Sequence, residues 1–275
     1  MSLLNNIGVP TVAMSFLMSG GLPSEAPQPP QMETSVTSSS VPGEKVNNAS
    51  HSSTAVKSST TESLYGIDIS SHQHGSESVD ISKAVDGGVQ YAFIKATEGT
   101  HYMNPHFRDD VLSFIEKDIP IGFYHYAIPT DSQEEAREQA RLFVAVTGIN
   151  GGVKTIAPVL DIEENKNNLS ASQLIAWTQA FVDEVKKLTE MDVMIYTYPN
   201  FWKDEMGNTT EFSHLPLWLA SYNGKSHPGK IPGGWNTWTF WQYTSDGRVD
   251  GYSKEIDLNV YNGTGEDLKE MYNSK

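Results

Sequence analysis

The sequence lacks cysteine altogether, which excludes disulfides, thiol nucleophiles and cysteine-ligated zinc sites. Positive charge is also scarce, because 19 lysines and arginines stand against 34 aspartates and glutamates, and the formal net charge is -15. A surface of that sign repels phosphate backbones, so we expect no nucleic-acid partner. The sequence has no apolar run of the roughly 18 to 20 residues that span a bilayer, so we expect no stable membrane insertion.

Several catalytic and cofactor motifs are missing as well. The histidines show no H-E-x-x-H or other ligand spacing, and neither a G-x-S-x-G nucleophile elbow nor a glycine-rich phosphate loop occurs. We therefore expect no metal and no cofactor, and we set aside serine hydrolases and nucleotide-binding proteins.

The N-terminal part differs in amino-acid composition from the rest of the chain. Ile7 to Met18 is apolar and resembles the core of an export signal, but no lysine or arginine precedes Lys45, so a disordered tail is an equal alternative. From Gly20 to about Glu62 the chain is rich in Ser, Thr, Pro and Gln, with too few apolar residues to offset the entropy of ordering. We predict a signal-like leader and a disordered linker over residues 1–63, and one folded domain over residues 64–275.

After Leu64, short β-rich runs alternate with helical patterns, which is typical of parallel strands joined by crossover helices. The predicted strands are Leu64 to Ile69, Tyr91 to Lys95, Ile121 to Tyr126, Ile156 to Asp161 and Val193 to Tyr196. Past Met206 the alternation ends, and three strand candidates follow at Leu217 to Ala220, Thr237 to Tyr243 and Glu255 to Asn259. Eight strands can close around a packed interior, so we predict an irregular α/β barrel.

Capping patterns place two of the crossover helices. Ser170 with Gln173 predicts a helix start, followed by apolar residues at helical spacing from Leu174 to Leu188. Asp131 with Glu134 predicts another start, with Phe143 on its buried face.

Four carboxylates lie at or just beyond the ends of predicted strands, where barrel enzymes keep their active sites. They are Asp68, Asp161, Glu163 and Asp257. Asp161 and Glu163 are two residues apart on an extended chain, so their side chains project from one face. An Asp-x-Glu alone is more often a solvated strand edge or a helix cap. The similar placement of the other two aspartates favours a shared site.

Such a cluster suits the cleavage of a glycosidic bond, which needs a proton for the leaving oxygen and negative charge near the developing oxocarbenium ion. We predict Glu163 as the acid because its side chain reaches further. Like charges, aided by partial burial, should raise its pKa. Glu164 points to the opposite face and is expected to be structural.

Aromatic residues cluster near the same strand ends. Alternating aromatics on strands usually face a core, yet flat rings also suit sugar faces. We expect Tyr124, Tyr196 and Trp241 to line a cleft, and three phenylalanines to be buried, namely Phe93, Phe123 and Phe240.

A series of motifs over about residues 64 to 263 resembles one family. The motifs are GIDISSHQ, FIKATEGT, GFYHYA, PVLDIEEN, VMIYTYPNFW, LPLWLASY and WTFWQYTSDGRVDGYSKEIDLNVYNG. Together they resemble the glycoside hydrolase family 25 lysozymes, the Chalaropsis-type muramidases found among phage endolysins and bacterial autolysins.

The resemblance implies an irregular, TIM-like (β/α)5(β)3 barrel and hydrolysis of the β-1,4 bond between N-acetylmuramic acid and N-acetylglucosamine in bacterial peptidoglycan. It implies that Glu163 is the general acid, Asp161 its partner, and Asp68 and Asp257 the flanking aspartates. A second set of positions matches the substrate groove, namely Lys95, Tyr124 and Tyr196.

Other properties stay open at this point. Attack by the substrate's acetamido group, which we favour, would retain configuration, whereas direct attack by water would invert it. We expect a monomer acting outside the cell or in the cell wall. The alternatives are a chitinase-like glycosidase and a non-catalytic peptidoglycan-binding protein.

Overall fold

A computed structural model describes residues 63–75 and 79–273. The predicted leader and linker lie outside these residues, except for Ser63, and stay a prediction from composition. Within the described residues, no helix combines the length and apolar character needed to cross a membrane.

The described residues form nine strands and six α-helices. The strands are β1 (Leu64–Ile69), β2 (Tyr91–Glu98), β3 (Tyr102–Met103), β4 (Ile121–Tyr126), β5 (Pro158–Asp161), β6 (Met194–Thr197), β7 (Leu217–Ala220), β8 (Phe240–Gly247) and β9 (Ile256–Tyr261). The helices are α1 (Ile81–Asp86), α2 (Phe107–Ile115), α3 (Gln133–Thr147), α4 (Ala171–Thr189), α5 (Pro199–Asp204) and α6 (Gly265–Asn273).

Eight of the strands close a barrel in the order β1-β2-β4-β5-β6-β7-β8-β9. Neighbours from β1 round to β8 run parallel, while β9 is antiparallel to both β8 and β1 and completes the circle. Five βα units followed by three strands thus form the barrel, which confirms the predicted fold. The short strand β3 is an addition that forms a hairpin with the end of β2.

The local predictions hold with small shifts. The capping box at Ser170 and Gln173 is present at the start of α4. Helix α3 begins one residue later than predicted, because the Ser132 hydroxyl, rather than Asp131, accepts the backbone N–H of Glu135. The predicted strands near residues 237 and 255 begin and end one to four residues later in the structure, and β8 contains two register irregularities.

Side chains alternate between the barrel interior and the layer beneath the helices. Phe93 and Phe240 fill the interior together with Tyr91, and their rings meet at 5.0 to 6.1 Å. Glycine lies opposite such rings, because a Cβ on Gly122 would come within 2.2 Å of Phe93. The interior is therefore a packed core that closes the bottom of the cleft above it.

The outward faces of the strands pack against the helices. Phe123, Phe143 and Phe181 are fully buried in this outer layer. His125 is buried among them, and its ring nitrogens contact the Thr97 hydroxyl at 2.8 Å and Gln139 Oε1 at 2.9 Å. The three phenylalanines predicted to be buried are buried, with Phe123 in this layer and the other two inside the barrel.

Candidate active site

A cleft of about 260 Å³ opens at the carboxyl ends of the barrel strands. It is lined by Asp68, Ser70, Lys95, Tyr124, Tyr126, Asp161, Glu163, Tyr196, Trp218, Tyr222, Gln242 and Asp257. The four carboxylates singled out in the sequence therefore meet in one place, although they come from three separate strands.

The alternation of the strands explains this convergence. Asp68 follows Gly66 on the inward face of β1, and Asp161 follows Val159 on the inward face of β5. Glu163 lies two residues beyond Asp161 and keeps the same direction. The i, i+2 spacing thus carries both acids into the cleft.

Asp68 and Asp257 are direct partners in the β1–β9 ladder, and their carboxyl groups are hydrogen-bonded to each other. Asp68 Oδ2 also accepts two amide N–H groups, from Gln242 Nε2 and Asn259 Nδ2, both at 2.8 Å. Because two buried carboxylates in contact cannot both be charged cheaply, the pair must share a proton.

Burial dominates the electrostatics of this pair. It raises the pKa of Asp68 to about 6, against the opposing effect of hydrogen bonds from Asn259 and Gln242. For Asp257, burial and the Asp68 charge raise the pKa to about 9. Both shifts favour a neutral carboxyl, so the pair holds one shared proton near neutral pH.

Glu163 holds its proton near neutrality. Burial is the largest cause and raises its pKa to about 7, with smaller contributions from the charges of Glu164 and Asp68. Burial thus outweighs the like charges, which reverses the order expected from the sequence. Lys95 and Lys166 oppose the shift. The Glu163 main chain is held by the Tyr198 hydroxyl, which donates to its carbonyl at 3.0 Å.

Asp161 is buried, and burial together with the Glu163 charge raises its pKa well above the ordinary value, against the opposing charge of Lys95. Its Oδ1 atom has no hydrogen-bond partner among the described residues. A buried acceptor without a donor is costly unless another molecule supplies one. Asp161 therefore carries an unsatisfied acceptor at the floor of the cleft.

Lys95 brings a positive charge to the same cleft. Its Nζ lies 2.6 Å from Glu98 Oε2 and 4.5 Å from the centre of the Tyr126 ring. The charge lies close enough to Asp161 and Glu163 to oppose the upward shifts of their pKa values. It thereby limits the repulsion within the acidic cluster.

Tyrosine and tryptophan rings form the walls. Tyr124 and Tyr196 line the cleft where the sequence analysis placed them, and both pack edge-on against Trp218. Tyr222 lies at the rim with 54% of its surface exposed. A second cavity of about 500 Å³ shares Glu163, Tyr196 and Tyr222 with the first, so the cleft continues along the barrel mouth.

Trp241 does not line the cleft, which corrects the prediction. It lies on the outward face of β8, is 1% exposed, and donates its Nε1 to the Ser221 carbonyl at 3.0 Å. Its neighbours Phe240 and Gln242 face inward instead. Trp218 on β7 provides the tryptophan wall.

Sequence reasoning missed two amides, Gln242 and Asn259. Alternation from Asp257 would have placed Asn259 in the cleft, whereas Gln242 could not be placed, because the sequence does not show whether Phe240 or Trp241 faces inward. No group of three or more His, Asp or Glu side chains within residues 63–75 and 79–273 is arranged to hold a metal ion. The arrangement can donate a proton, hold buried negative charge and present flat aromatic rings to a bound molecule.

Comparison with known proteins gives one consistent result. The family model described as "Glycosyl hydrolases family 25" matches residues 67–252. Lysozyme M1 of Streptomyces globisporus is 36% identical over 225 residues, which are 78% of this chain and 73% of that protein. The N,O-diacetylmuramidase of Chalaropsis sp is 35% identical over 218 residues, 76% of this chain and 98% of that protein. The crystal structure of a bacterial lysozyme from Streptomyces coelicolor superimposes with a TM-score of 0.69 at 34% identity, covering 78% of this chain and 99% of that one.

Proposed function

The chain belongs to glycosyl hydrolase family 25, and with this membership as premise we propose how its cleft performs the muramidase reaction. The protein is a peptidoglycan muramidase, which hydrolyses the β-1,4 bond between N-acetylmuramic acid and N-acetylglucosamine. The convergence of four carboxyl groups with different proton affinities supports the roles given below.

Glu163 is the general acid. Its raised pKa, about 7, leaves a proton available for the leaving oxygen near neutral pH. The family resemblance and the position of the carboxyl between the two connected cavities support this role.

Asp161 receives the N–H of the substrate's acetamido group while the acetamido oxygen attacks the anomeric carbon. The free Oδ1 of Asp161 supports this role, because it is the acceptor that such a donor needs. The charge on Glu163 that raises the pKa of Asp161 is absent when Glu163 is protonated. Asp161 therefore ionises most readily in the state in which Glu163 is ready to act as the acid.

The flanking groups orient the substrate and balance charge. Asp68 supplies negative charge near the developing oxocarbenium ion, with Asp257 as its hydrogen-bonded partner. Lys95, Tyr124 and Tyr196 contact the glycan strand, and Trp218 and Tyr222 extend the aromatic walls.

Digestion of peptidoglycan by the full chain tests the reaction. New reducing muramic-acid ends without new free amines are expected, and release of amines alone would indicate an amidase or peptidase. Chitin serves as a parallel substrate, and equal turnover on it would favour a chitinase-like enzyme. Binding to peptidoglycan without any reducing ends would indicate a non-catalytic protein.

Substitution tests the acid. Glu163→Gln should remove nearly all activity while the protein stays folded, because glutamine cannot deliver the proton. Glu164→Gln is the matched control. Its carboxylate is partly exposed and paired with Lys166, and its charge adds less than burial to the pKa of Glu163, so activity at pH 6 should stay within about threefold. Near-native turnover by Glu163→Gln would remove Glu163 from the role.

Product stereochemistry tests the nucleophile. Proton NMR of the first product should show retained β configuration if the acetamido group attacks. Initial formation of the α-anomer would instead assign the attack to water.

Domain organisation and setting are also part of the proposal. Residues 64–275 form the catalytic domain, which the family match over residues 67–252 supports. The composition of residues 1–63 supports their assignment as a leader and linker. The enzyme acts on the cell wall outside the cell, where its substrate lies, and we propose that it does so as a monomer. Relatives include an autolytic lysozyme of Clostridium acetobutylicum and a lysozyme of Streptococcus phage Cp-7.

A further inference from the structure

Two buried carboxamides hold one carboxylate in the cleft. Asn259 on β9 and Gln242 on β8 both donate an N–H to the same oxygen, Asp68 Oδ2, at 2.8 Å. Asn259 is fully buried, and Gln242 and Asp68 are 2% and 5% exposed. Hydrogen bonds to a charged group are stronger than neutral ones, particularly away from water.

The orientation of the Asn259 amide is fixed by Trp218. The indole Nε1 of Trp218 lies 2.8 Å from Asn259 Oδ1, and an indole nitrogen can only donate. Asn259 must therefore use its oxygen towards the indole and present its N–H to Asp68. The carboxylate oxygen that faces it has to be an acceptor.

The Gln242 amide is held in the same sense. Its Oε1 accepts the hydroxyl groups of Tyr196, at 2.7 Å, and of Tyr222. Its N–H then points at Asp68, so Oδ2 receives two donors and has no place for a proton. Two donors on Oδ2 stabilise the ionised form of Asp68, which favours holding the shared proton on Asp257 rather than on Asp68 Oδ1.

Other ionisable groups also face Asp68 or line the same cleft. They are Tyr91 of β2, Lys95 of β2, Tyr124 of β4, Asp161 of β5, Glu163 after β5, Tyr196 of β6, Tyr222 after β7 and Asp257 of β9. Of these, the carboxylates would drive Asp68 towards its neutral form, and the two amides counteract them.

We propose that Asn259 and Gln242 are positioning residues that keep Asp68 ionised and leave the shared proton on Asp257. This inference rests on the proposed role of the carboxyl cluster and deepens it, because it states which member carries the charge. The pKa directions agree, since hydrogen bonds from both amides lower the pKa of Asp68 and none lowers that of Asp257. The cleft thereby holds a fixed negative charge before substrate arrives.

Carbon-13 NMR of the full chain, labelled at the aspartate carboxyl carbons, tests the assignment directly. Asp257→Asn and Asp68→Asn identify the two resonances. In the wild type Asp68 should titrate first and Asp257 at higher pH. The opposite order would overturn the proposal.

Variants that weaken the hydrogen bonds from Gln242 or Asn259 give the second measurement. Gln242→Leu removes a charge-assisted hydrogen bond and should raise the midpoint of the Asp68 titration by about one pH unit. If Gln242→Leu does not fold, Trp218→Phe replaces the indole by a smaller aromatic ring, removes the donor that orients Asn259, and should raise the titration midpoint of Asp68 by about half a pH unit. Trp177→Phe is the matched control, because Trp177 is equally buried in the outer layer and its Nε1 has no partner among the described residues.

Kinetics separate positioning from a general loss of structure. In Trp218→Phe the acid limb of the kcat/KM profile should move to higher pH by the same amount as the NMR titration, whereas in Trp177→Phe it should not move. An equal loss of rate at every pH, with the Asp68 titration unmoved, would overturn the proposal. A fully active Glu163→Gln would instead refute the proposed acid while leaving the Asp68 titrations as predicted.

Discussion

The hydroxyl of Tyr198 donates a hydrogen bond to the main-chain carbonyl of Glu163 at 3.0 Å. Tyr198 is the residue before helix α5, whereas Glu163 lies in the loop after β5. The bond therefore ties the segment that carries the proposed acid to the neighbouring βα unit. It fixes the main chain and leaves the Glu163 side chain free to face the cleft.

Removal of the Tyr198–Glu163 hydrogen bond should lower kcat more than it changes KM. In Tyr198→Phe the loop would lose one hydrogen bond, worth about 1 kcal/mol, and Glu163 would be held less well in its productive position. We expect kcat to fall about tenfold with KM changed less than threefold. Steady-state assays on soluble peptidoglycan fragments measure both. An unchanged kcat would show that the loop keeps its position without Tyr198.

The pH dependence of activity should be bell-shaped. Below about 6 the Asp68 carboxylate takes up a proton, since burial raises its pKa to that value, and the negative charge is lost. Above about 7 Glu163 loses the proton it must donate, because burial raises its pKa only that far. We therefore expect kcat/KM to be greatest between pH 6 and 7. A rate that keeps rising to pH 9 would contradict a protonated Glu163.

His125 should make the fold sensitive to acid. Burial lowers its pKa from 6.5 to about 4, so the unfolded chain takes up a proton at a pH where the folded chain does not. Its contribution to stability is complete above pH 6.5 and is lost as the pH falls towards 4. The loss should reach about 3 kcal/mol over this range.

Urea unfolding of wild type and His125→Gln at pH 7.5 and 4.5 measures the effect. The cleft carboxyl groups act in the opposite direction, because their raised pKa values add stability as the pH falls. They are present in both proteins, so the difference between wild type and variant isolates His125. Equal pH dependence of the two proteins would contradict the prediction.

Variants at Trp241 and Tyr222 should have different effects, with Trp241→Phe lowering stability and Tyr222→Ala weakening substrate binding. Trp241→Phe removes buried volume and the Nε1 bond to the Ser221 carbonyl, so we expect about 2 kcal/mol less stability and a KM within twofold of wild type. Tyr222→Ala removes a ring that is half exposed at the rim, and should raise KM with little loss of stability. Thermal melts and KM values for both variants provide the measurement, and the reversed pattern would return Trp241 to the cleft wall.

Gly122 should not tolerate a methyl group. In Gly122→Ala the new Cβ would lie 2.2 Å from Phe93 Cε1 inside the packed barrel, so we expect about 3 kcal/mol or more of destabilisation. Gly151→Ala is the control, because nothing lies within 4 Å of its added Cβ. Chemical denaturation midpoints compare the two. Similar midpoints would show that the Phe93 side chain moves to make room for the added methyl group.

The sequence predicted what depends on local pattern. Ser170 and Gln173 mark a helix start within four residues of chain, and Asp161 and Glu163 share a face because they are two residues apart on an extended segment. Neither inference needs knowledge of which strand lies beside which.

Features that depend on register could not be predicted in this way. In a barrel with helices outside, both faces of a strand are buried, so alternation leaves no apolar and polar faces to distinguish. Trp241 and Phe240 are therefore equally apolar in sequence, although they face opposite layers. The amides of Gln242 and Asn259 gain their meaning only from strand pairing around Asp68.

The cleft joins the two ends of the folded domain. Asp68 on β1 and Asn259 on β9 are 191 residues apart in the chain, yet their side chains are in contact. During synthesis the first carboxylate emerges early and stays without its partners until the last strand has left the ribosome. The cleft is therefore incomplete until β9 has closed the barrel and brought Asp257 and Asn259 to Asp68.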